Sequence, residues 1–245
     1  MSKIEKYWKE RSAKYNNLEW VSCGSYLDNF CTAADLNQDH IVLDIGAGTG
    51  VVGNYIKKYT SKVFALDVSS DMLKNGEWRD VSLINWDVRV PLFGKNIFDR
   101  ITARMVFHHI LKDQDKAFEN CYNYLKKAGK IIIAEAVPPS SSTLVINWYT
   151  DMFEHKEDRI TFVPGQLEES LKSAGFLNIQ SFFFFMPEFS INNWLDNSGL
   201  SQDKISKIIK IHLDSPQEVK DTYDMRINGD NILINSKYTI VVGDK

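Results

Sequence analysis

Short apolar runs alternate with amphipathic segments along this chain, and the alternation predicts an α/β protein with a doubly wound sheet. Runs rich in the residues that strands favour begin at positions 41, 62, 81, 98, 129, 179 and 231. Helical patterns lie between them. Residues 113–125 carry apolar side chains at helical spacing and are closed by Gly129, and residues 164–176 form another helix with a glycine near its end.

The first predicted helix lies at the N-terminus. Ser2 and Glu5 have the spacing of a capping box, in which each residue caps the backbone of the other. The helix that follows places four side chains near one another through three- and four-residue spacings: Tyr7, Trp8, Arg11 and Tyr15. A second helix, roughly residues 23–36, leads into the first strand.

That strand ends in a glycine-rich turn that opens another helix. Apolar residues 41–43 lead into Asp44, and glycines follow at positions 46, 48 and 50. In an open parallel sheet such a junction lies at the carboxyl edge of the strands, where ligands bind. A dinucleotide fingerprint would place its third glycine where this chain has Val51, so the spacing argues against a nicotinamide cofactor.

Acidic residues end the next strands. Asp67 stands at the tip of the second strand, where a carboxylate can accept hydrogen bonds from both hydroxyls of a ribose. Asp87 follows the third strand. We therefore expect both acids at the same edge of the sheet as the glycine turn.

Residues 42–50 closely resemble the first motif of class I S-adenosylmethionine (SAM) dependent methyltransferases of the small-molecule type, with a methyltransferase-11/25-like domain. The likeness continues in order to about residue 186, and residues 7–15 are similar to a segment that these enzymes fold over the SAM site. The resemblance implies a seven-stranded Rossmann-like sheet in the order 3-2-1-4-5-7-6 with an antiparallel last strand. It also implies SAM as cofactor and S-adenosylhomocysteine (SAH) as product.

The same resemblance implies which residues hold the cofactor. In the family an acid after strand three meets the adenine amino group and an apolar neighbour covers the ring, and Asp87 and Val88 match those positions. The other implied cofactor-binding residues are Asp44, Gly46, Ala47, Gly48, Gly50, Asp67, Val68, Met72 and Arg104, with Arg11 and Tyr15 from the N-terminal segment.

We expect one methyltransferase domain over residues 1–245, with a helical cap at 1–36 and lid insertions at 137–163 and 187–229. Both insertions leave the carboxyl edge of the sheet and are rich in aromatic residues and methionine, which predicts a pocket for a small acceptor that is apolar, aromatic or carboxylate-bearing. Arg159 or Arg226 could pair with a carboxylate. The predicted pocket residues are Tyr7, Trp148, Tyr149, Met152, Arg159 and Trp194.

Methyl transfer from SAM is an in-line displacement, and a base is needed only when the acceptor arrives protonated. His108 and His109 leave strand four beside the expected methyl group, and histidine suits base catalysis near neutral pH. His109 is the preferred base, with Tyr15 or Tyr7 covering the site. The alternative is that these histidines are purely structural.

Composition narrows the choice of partners. The net charge of −3 and pI near 6.0 lack the basic excess of a nucleic-acid binder. Three poorly spaced cysteines fit neither a disulfide framework nor a zinc site, and we expect no metal. The N-terminus has no apolar signal segment, and no apolar run could span a bilayer, so we expect a soluble cytoplasmic protein that acts on a small molecule without a membrane partner.

Two other functions remain open on the sequence. An NAD-dependent oxidoreductase would share the glycine turn and the acid on strand two, although the missing third glycine and the presence of Asp87 disfavour it. A non-catalytic SAM-binding protein would keep the cofactor motifs without turnover.

Overall fold

The computed structural model describes residues 3–245, with side chains from Tyr7 onward. The strands of the described residues join in a single sheet. Their bounds are β1 (Ile41–Ile45), β2 (Lys62–Asp67), β3 (Ser82–Asn85), β4 (Phe98–Arg104), β5 (Leu125–Ala136), β6 (Leu177–Ser190), β7 (Arg226–Asn228) and β8 (Asn231–Asp244).

The strand order is β3-β2-β1-β4-β5-β8-β6, and β8 pairs antiparallel with both of its neighbours. β1 lies parallel between β2 and β4, with Asp44 opposite Ala65 on one side and Thr102 on the other. This confirms the predicted Rossmann-like order. The one difference is the short additional strand β7, which pairs only with β8 and makes the sheet eight-stranded.

Helices cover both faces of the sheet. Their bounds are α1 (Lys3–Ser12), α2 (Gly24–Ala34), α3 (Val51–Ile56), α4 (Ser70–Lys74), α5 (Gln114–Tyr124), α6 (Thr143–Lys156), α7 (Gln166–Ser173), α8 (Ile191–Asp196), α9 (Gln202–Leu213) and α10 (Gln217–Thr222). Short 3-10 turns span Tyr15–Asn17, Glu19–Ser22 and Phe107–His109.

Alternate residues of β5 enter different cores, as the pleat of a strand requires. Ile132 and Ala134 lie in one apolar cluster with Phe30 of α2, whereas Ile131 belongs to a second cluster with Phe118 of α5. All five side chains are at most 2% exposed. This central strand is therefore buried on both faces, as a doubly wound architecture requires.

The boundary between α5 and β5 differs from the prediction. α5 ends at Tyr124, and β5 begins at Leu125, four residues before Gly129. Leu125 pairs with Phe98, and the register then shifts before Arg100 pairs with Lys130. The strand therefore begins with an irregular pair that the glycine signal could not indicate.

The two segments predicted as lids contain helices near the carboxyl edge of the sheet. α6 occupies residues 143–156, where the sequence did not predict a helix, and it packs against α9 and α10. The predicted capping box lies outside the described residues, because Ser2 and the side chain of Glu5 are not described. No helix in the described part of the chain is both long enough and apolar enough to cross a membrane.

Candidate active site

The glycine turn lies at the carboxyl end of β1. Gly46 and Gly48 both adopt positive φ, 63° and 57°, which favours glycine. A Cβ on Gly46 would lie 2.3 Å from the side chain of Val106, so backbone and side chain meet closely there. Beneath the turn, Asp44 accepts a hydrogen bond from Thr102 Oγ1 at 2.8 Å, and burial raises the pKa of Asp44 to about 7.

Asp67 joins the end of β2 to this turn. Its Oδ2 accepts from the Gly48 amide and its Oδ1 from the Ser69 amide, both at 2.8 Å. Burial raises the pKa of Asp67, while the two amide hydrogen bonds oppose that shift. Tyr15 and Met72 pack beside Gly48, at 3.8 and 3.3 Å from where its Cβ would be. The predicted cofactor residues of β1, β2 and the N-terminal segment thus come together.

The rest of the turn is fixed by its own backbone. The Ala47 amide donates to the Leu66 carbonyl at 3.1 Å, and the Gly50 amide donates to the Ala47 carbonyl at 3.0 Å. Gly50, with φ of 90°, packs against Trp78 and begins α3. A backbone hydrogen bond therefore attaches the turn to β2, and a second one closes the turn itself.

The end of β3 forms a separate shallow groove. Asp87 lies in it with Val68, which is 53% exposed. Hydrogen bonds from the Arg89 guanidinium lower the pKa of Asp87 and occupy both carboxylate oxygens. Val88 is buried in the core, and its carbonyl accepts a hydrogen bond from the Asn120 side chain. The adenine roles of Asp87 and Val88 remain predictions, and Arg89 would have to share Asp87 with the base.

Arg104, another predicted cofactor residue, is buried at the end of β4. Its Nη2 donates to the Val21 carbonyl at 2.8 Å, and its guanidinium lies 5.4 Å from the Trp20 ring and 5.3 Å from the Tyr26 ring. Nη1 is buried without a hydrogen-bond partner among the described residues.

A cavity with about 680 Å³ of atom-free space, its mouth included, lies among α1, α6, α8 and the ends of β4, β5 and β8. Five of the predicted pocket residues line it: Trp148, Tyr149, Met152, Arg159 and Trp194. Tyr7 lies behind the cavity lining, hydrogen-bonded to Glu157 and Arg11. Arg226 lies on the exposed strand β7, where it pairs with Glu188 and Asp224, so the anion-binding alternative given for Arg226 is wrong.

Both candidate bases line the cavity, and His108 has an orienting partner. Its Nδ1 lies 2.6 Å from Glu135 Oε2, while Glu135 Oε1 accepts from the amides of Val106 and His108. Burial raises the pKa of Glu135 to about 7 and holds that of His108 well below its usual range. A neutral His108 that donates from Nδ1 to this carboxylate keeps Nε2 as a proton acceptor.

His109 stands one residue further along. Its ring makes edge contact with Trp8 at a centroid distance of 4.8 Å and lies 3.9 Å from the His108 ring. Burial lowers the pKa of His109 well below its usual value, and proximity to His108 lowers it further. Burial therefore favours the neutral form of both rings, which is the form that a general base requires.

Glu157 is the acceptor at the centre of a buried charge cluster. Its Oε2 accepts from Arg11 Nη1 at 3.0 Å, from Lys156 Nζ at 2.7 Å and from the Tyr7 hydroxyl. Burial disfavours the charge on Glu157, but Lys156 and Arg11 outweigh it and hold its pKa well below the usual range. Burial lowers the pKa of Lys156 to about 7, against the opposing effect of Glu157.

Metal-ligating atoms of His108, His109 and Glu157 lie within 4.8 Å of one another. Lys156 and Arg11 already bind Oε2 of the Glu157 carboxylate. A divalent cation would be repelled by these two neighbours, so this cluster does not fit a metal.

Sequence reasoning missed Glu135, Lys156 and Glu157. Glu135 could have been found, because β4 and β5 are neighbours and the residues after their ends must meet at one edge. Lys156 ends a lid helix whose position no local pattern revealed, and Glu157 follows it.

The fold and this edge of the sheet define a Rossmann-like α/β domain with a covered cavity beside its glycine turn. Residues 43–133 match the family model described as "Methyltransferase domain". Over this segment the chain is similar to class I SAM-dependent methyltransferases. This confirms the resemblance of the glycine turn.

Named relatives are distant and act on different acceptors. The chain is 27% identical over 157 residues to phosphoethanolamine N-methyltransferase of Plasmodium falciparum, which covers 60% of this chain and 57% of that protein. It is 27% identical over 151 residues to demethylmenaquinone methyltransferase of Thermotoga maritima, covering 60% of this chain and 64% of that protein. The chain thus spans less than two thirds of the length of either relative.

A solved structure shares the fold over nearly the whole chain. The YcgJ protein from Bacillus subtilis superposes with a TM-score of 0.79 at 20% identity, covering 90% of this chain and 98% of that one. At this identity the likeness is evidence for the fold alone.

Proposed function

We propose that this protein binds SAM at the carboxyl edge of β1 and β2 and transfers its methyl group to a small molecule held in the lid cavity. One observation carries the proposal: the glycine turn and Asp67 lie at the same sheet edge as a cavity lined by two histidines. A cofactor and an acceptor would meet there.

The cofactor half rests on Asp67 and the N-terminal segment. The Asp67 carboxylate would accept from the ribose hydroxyls of SAM, as acids at the tip of strand two do in nucleoside-binding folds. Arg11 and Arg104 have buried nitrogens without partners, Nε and Nη1 respectively, that can donate to the cofactor or the acceptor. SAM supplies an activated methyl group when bound, and the chain aligns the acceptor behind it and excludes water.

The histidines supply the base if the acceptor is protonated. His109 is the preferred base. His108 is the alternative base, because of the two histidines it is the one hydrogen-bonded to a carboxylate. With an acceptor in hand, an activity of His109→Ala within about twofold of the parent enzyme, less than roughly 0.5 kcal/mol of barrier, would refute its base role. His108→Ala is the matched comparison.

Calorimetric titration of the protein with SAM, SAH and NAD, each alone, tests the proposal. We expect micromolar binding of SAM and SAH and none of NAD. Binding of NAD alone would point to an oxidoreductase and refute the proposal. Binding of SAM without transfer to any acceptor in a broad screen would favour a non-catalytic binding protein.

A further inference from the structure

The guanidinium of Arg159 is buried but poorly paired. Its side chain is 2% exposed. Among the described residues it donates to the Ile160 carbonyl at 3.3 Å and the Ala136 carbonyl at 3.4 Å, and its Nη1 lies 3.9 Å from Glu157 Oε1. Charge-assisted hydrogen bonds are normally about 2.7–2.9 Å long. A buried cation with only long contacts has room for a stronger anionic partner.

The guanidinium is nevertheless held in place. Its central carbon lies 4.2 Å from the ring centroid of Phe153 and 5.8 Å from that of Tyr149, both on α6. Arginine stacked on aromatic rings keeps its planar set of donors in a fixed orientation. Arg159 therefore presents a pre-oriented, incompletely used donor set to the cavity that it lines.

Positive charge dominates the charge cluster around Glu157. Arg11, Lys156 and Arg159 surround that one carboxylate, and all four side chains are at most 5% exposed. Glu135, the other acid nearby, is hydrogen-bonded to His108. One further negative charge in the cavity would reduce the uncompensated cationic charge and lower its cost.

Unpaired polar atoms give independent evidence. Tyr149 is 5% exposed, lines the cavity, and has a buried hydroxyl without a hydrogen-bond partner. The other buried unpaired atoms among the lining residues are Trp148 Nε1 and Arg11 Nε. Each of these groups can donate a hydrogen bond, so the cavity is prepared for an acceptor-rich ligand.

Building on the proposed function, we propose that the methyl acceptor is an organic anion whose carboxylate or phosphate oxygens are bound by Arg159, with the Tyr149 hydroxyl donating to the same group. The body of the anion packs on the apolar part of the cavity formed by Met152, Phe153 and Trp194. A carboxylate and a phosphate monoester share the chemistry that this donor set recognises.

The test is calorimetry on the intact protein, with and without SAH, using phenylacetate, phenyl phosphate and the neutral phenylacetamide as probes. We expect at least one anion to bind about tenfold or more tightly than the neutral probe, and the preferred anion identifies the group. Phenylacetamide binding as tightly as both anions, or no anion binding to the SAH-loaded protein, would overturn the proposal.

Arg159→Met should weaken binding of the preferred anion by about tenfold or more while leaving SAH affinity unchanged. The matched control is Arg226→Met, which removes an arginine that is 48% exposed on β7 and should change neither affinity. Loss of SAH binding in Arg159→Met with unchanged anion affinity would assign Arg159 to the cofactor and refute the anion site. Tyr149→Phe removes only the hydroxyl, and it should weaken the anion several-fold even if Arg159→Met does not fold.

The two proposals fail differently. If the parent protein binds neither SAM nor SAH but binds an anion in an Arg159-dependent way, the methyltransferase assignment fails and the anion site stands. If SAH binds but no anion does so through Arg159, only the present inference fails.

Discussion

Replacing Asp67 by alanine removes the carboxylate that joins the glycine turn to the end of β2. In the structure it accepts from the amides of Gly48 and Ser69, both at 2.8 Å. The side chain is buried, so its charge is largely desolvated before a ligand arrives. A ribose with two free hydroxyls would meet an acceptor that is already positioned.

The expected loss of affinity follows from the strength of such bonds. Hydrogen bonds to a charged group contribute roughly 1.5–3 kcal/mol each. Water recovers part of this in the variant, so we expect a net loss equivalent to one such bond. That corresponds to a fall in SAH affinity of about tenfold to 150-fold.

Calorimetric titration of SAH into Asp67→Ala measures this loss. The matched control is Asp71→Ala, which removes an acid from the first turn of α4 and should leave the SAH dissociation constant unchanged. Asp67→Ala also leaves two amides without their acceptor, at about 1–3 kcal/mol each. Urea unfolding must therefore first show that Asp67→Ala is folded at the assay temperature. A folded Asp67→Ala with an unchanged SAH dissociation constant would refute the ribose role.

Three further changes test other parts of the site. Gly46→Ala should destabilise the fold by about 1–3 kcal/mol, or roughly 2–10 °C in Tm, because its Cβ would lie 2.3 Å from a valine side chain. The control Gly24→Ala, whose Cβ would meet nothing within 4 Å, should shift Tm by no more than about 3 °C. Equal shifts in Tm would contradict the steric argument. Glu135→Gln should move the proton of His108 from Nδ1 to Nε2, visible in ring ¹⁵N shifts, and an unchanged tautomer would show that Glu135 does not set it. Affinity for an anionic probe should fall as pH rises above about 7, because burial lowers the pKa of Lys156 to about 7 and an anion favours its charged form. Lys156→Met should flatten this pH profile and leave only the contribution of Glu135, whose pKa is raised to about 7. An unaltered profile would show that Lys156 does not cause the pH dependence.

The cofactor side of the site could be predicted because its residues follow one another along the chain. The glycines after β1 and the acid that ends β2 each mark a strand end by local pattern, and parallel strands bring those ends to one edge. Gly48 and Asp67, 19 positions apart, meet through a hydrogen bond of 2.8 Å. Strand order itself came from the resemblance, since periodicity does not say which strands are neighbours.

The acceptor side could not be predicted in the same way. α6 begins after a serine run and has aromatic residues on several sides, so no clean amphipathic pattern marked it as a helix. Glu157, which follows its last residue, contacts Arg11 and Tyr7, about 150 positions away in sequence. Such contacts depend on how the lid folds back over the N-terminal helix, and no spacing rule encodes that.

This division has a consequence for specificity. The residues proposed to hold SAM stand at strand ends, in the turns that follow them and on the N-terminal segment, and the turn after β1 is tied to β2 by hydrogen bonds. The residues proposed to hold the acceptor stand on α6, on the segment after it and on α8, held by side-chain packing and by the ion pairs of Glu157. Substitutions in the lid that keep the Glu157–Arg11 ion pair should therefore change acceptor binding more than cofactor binding.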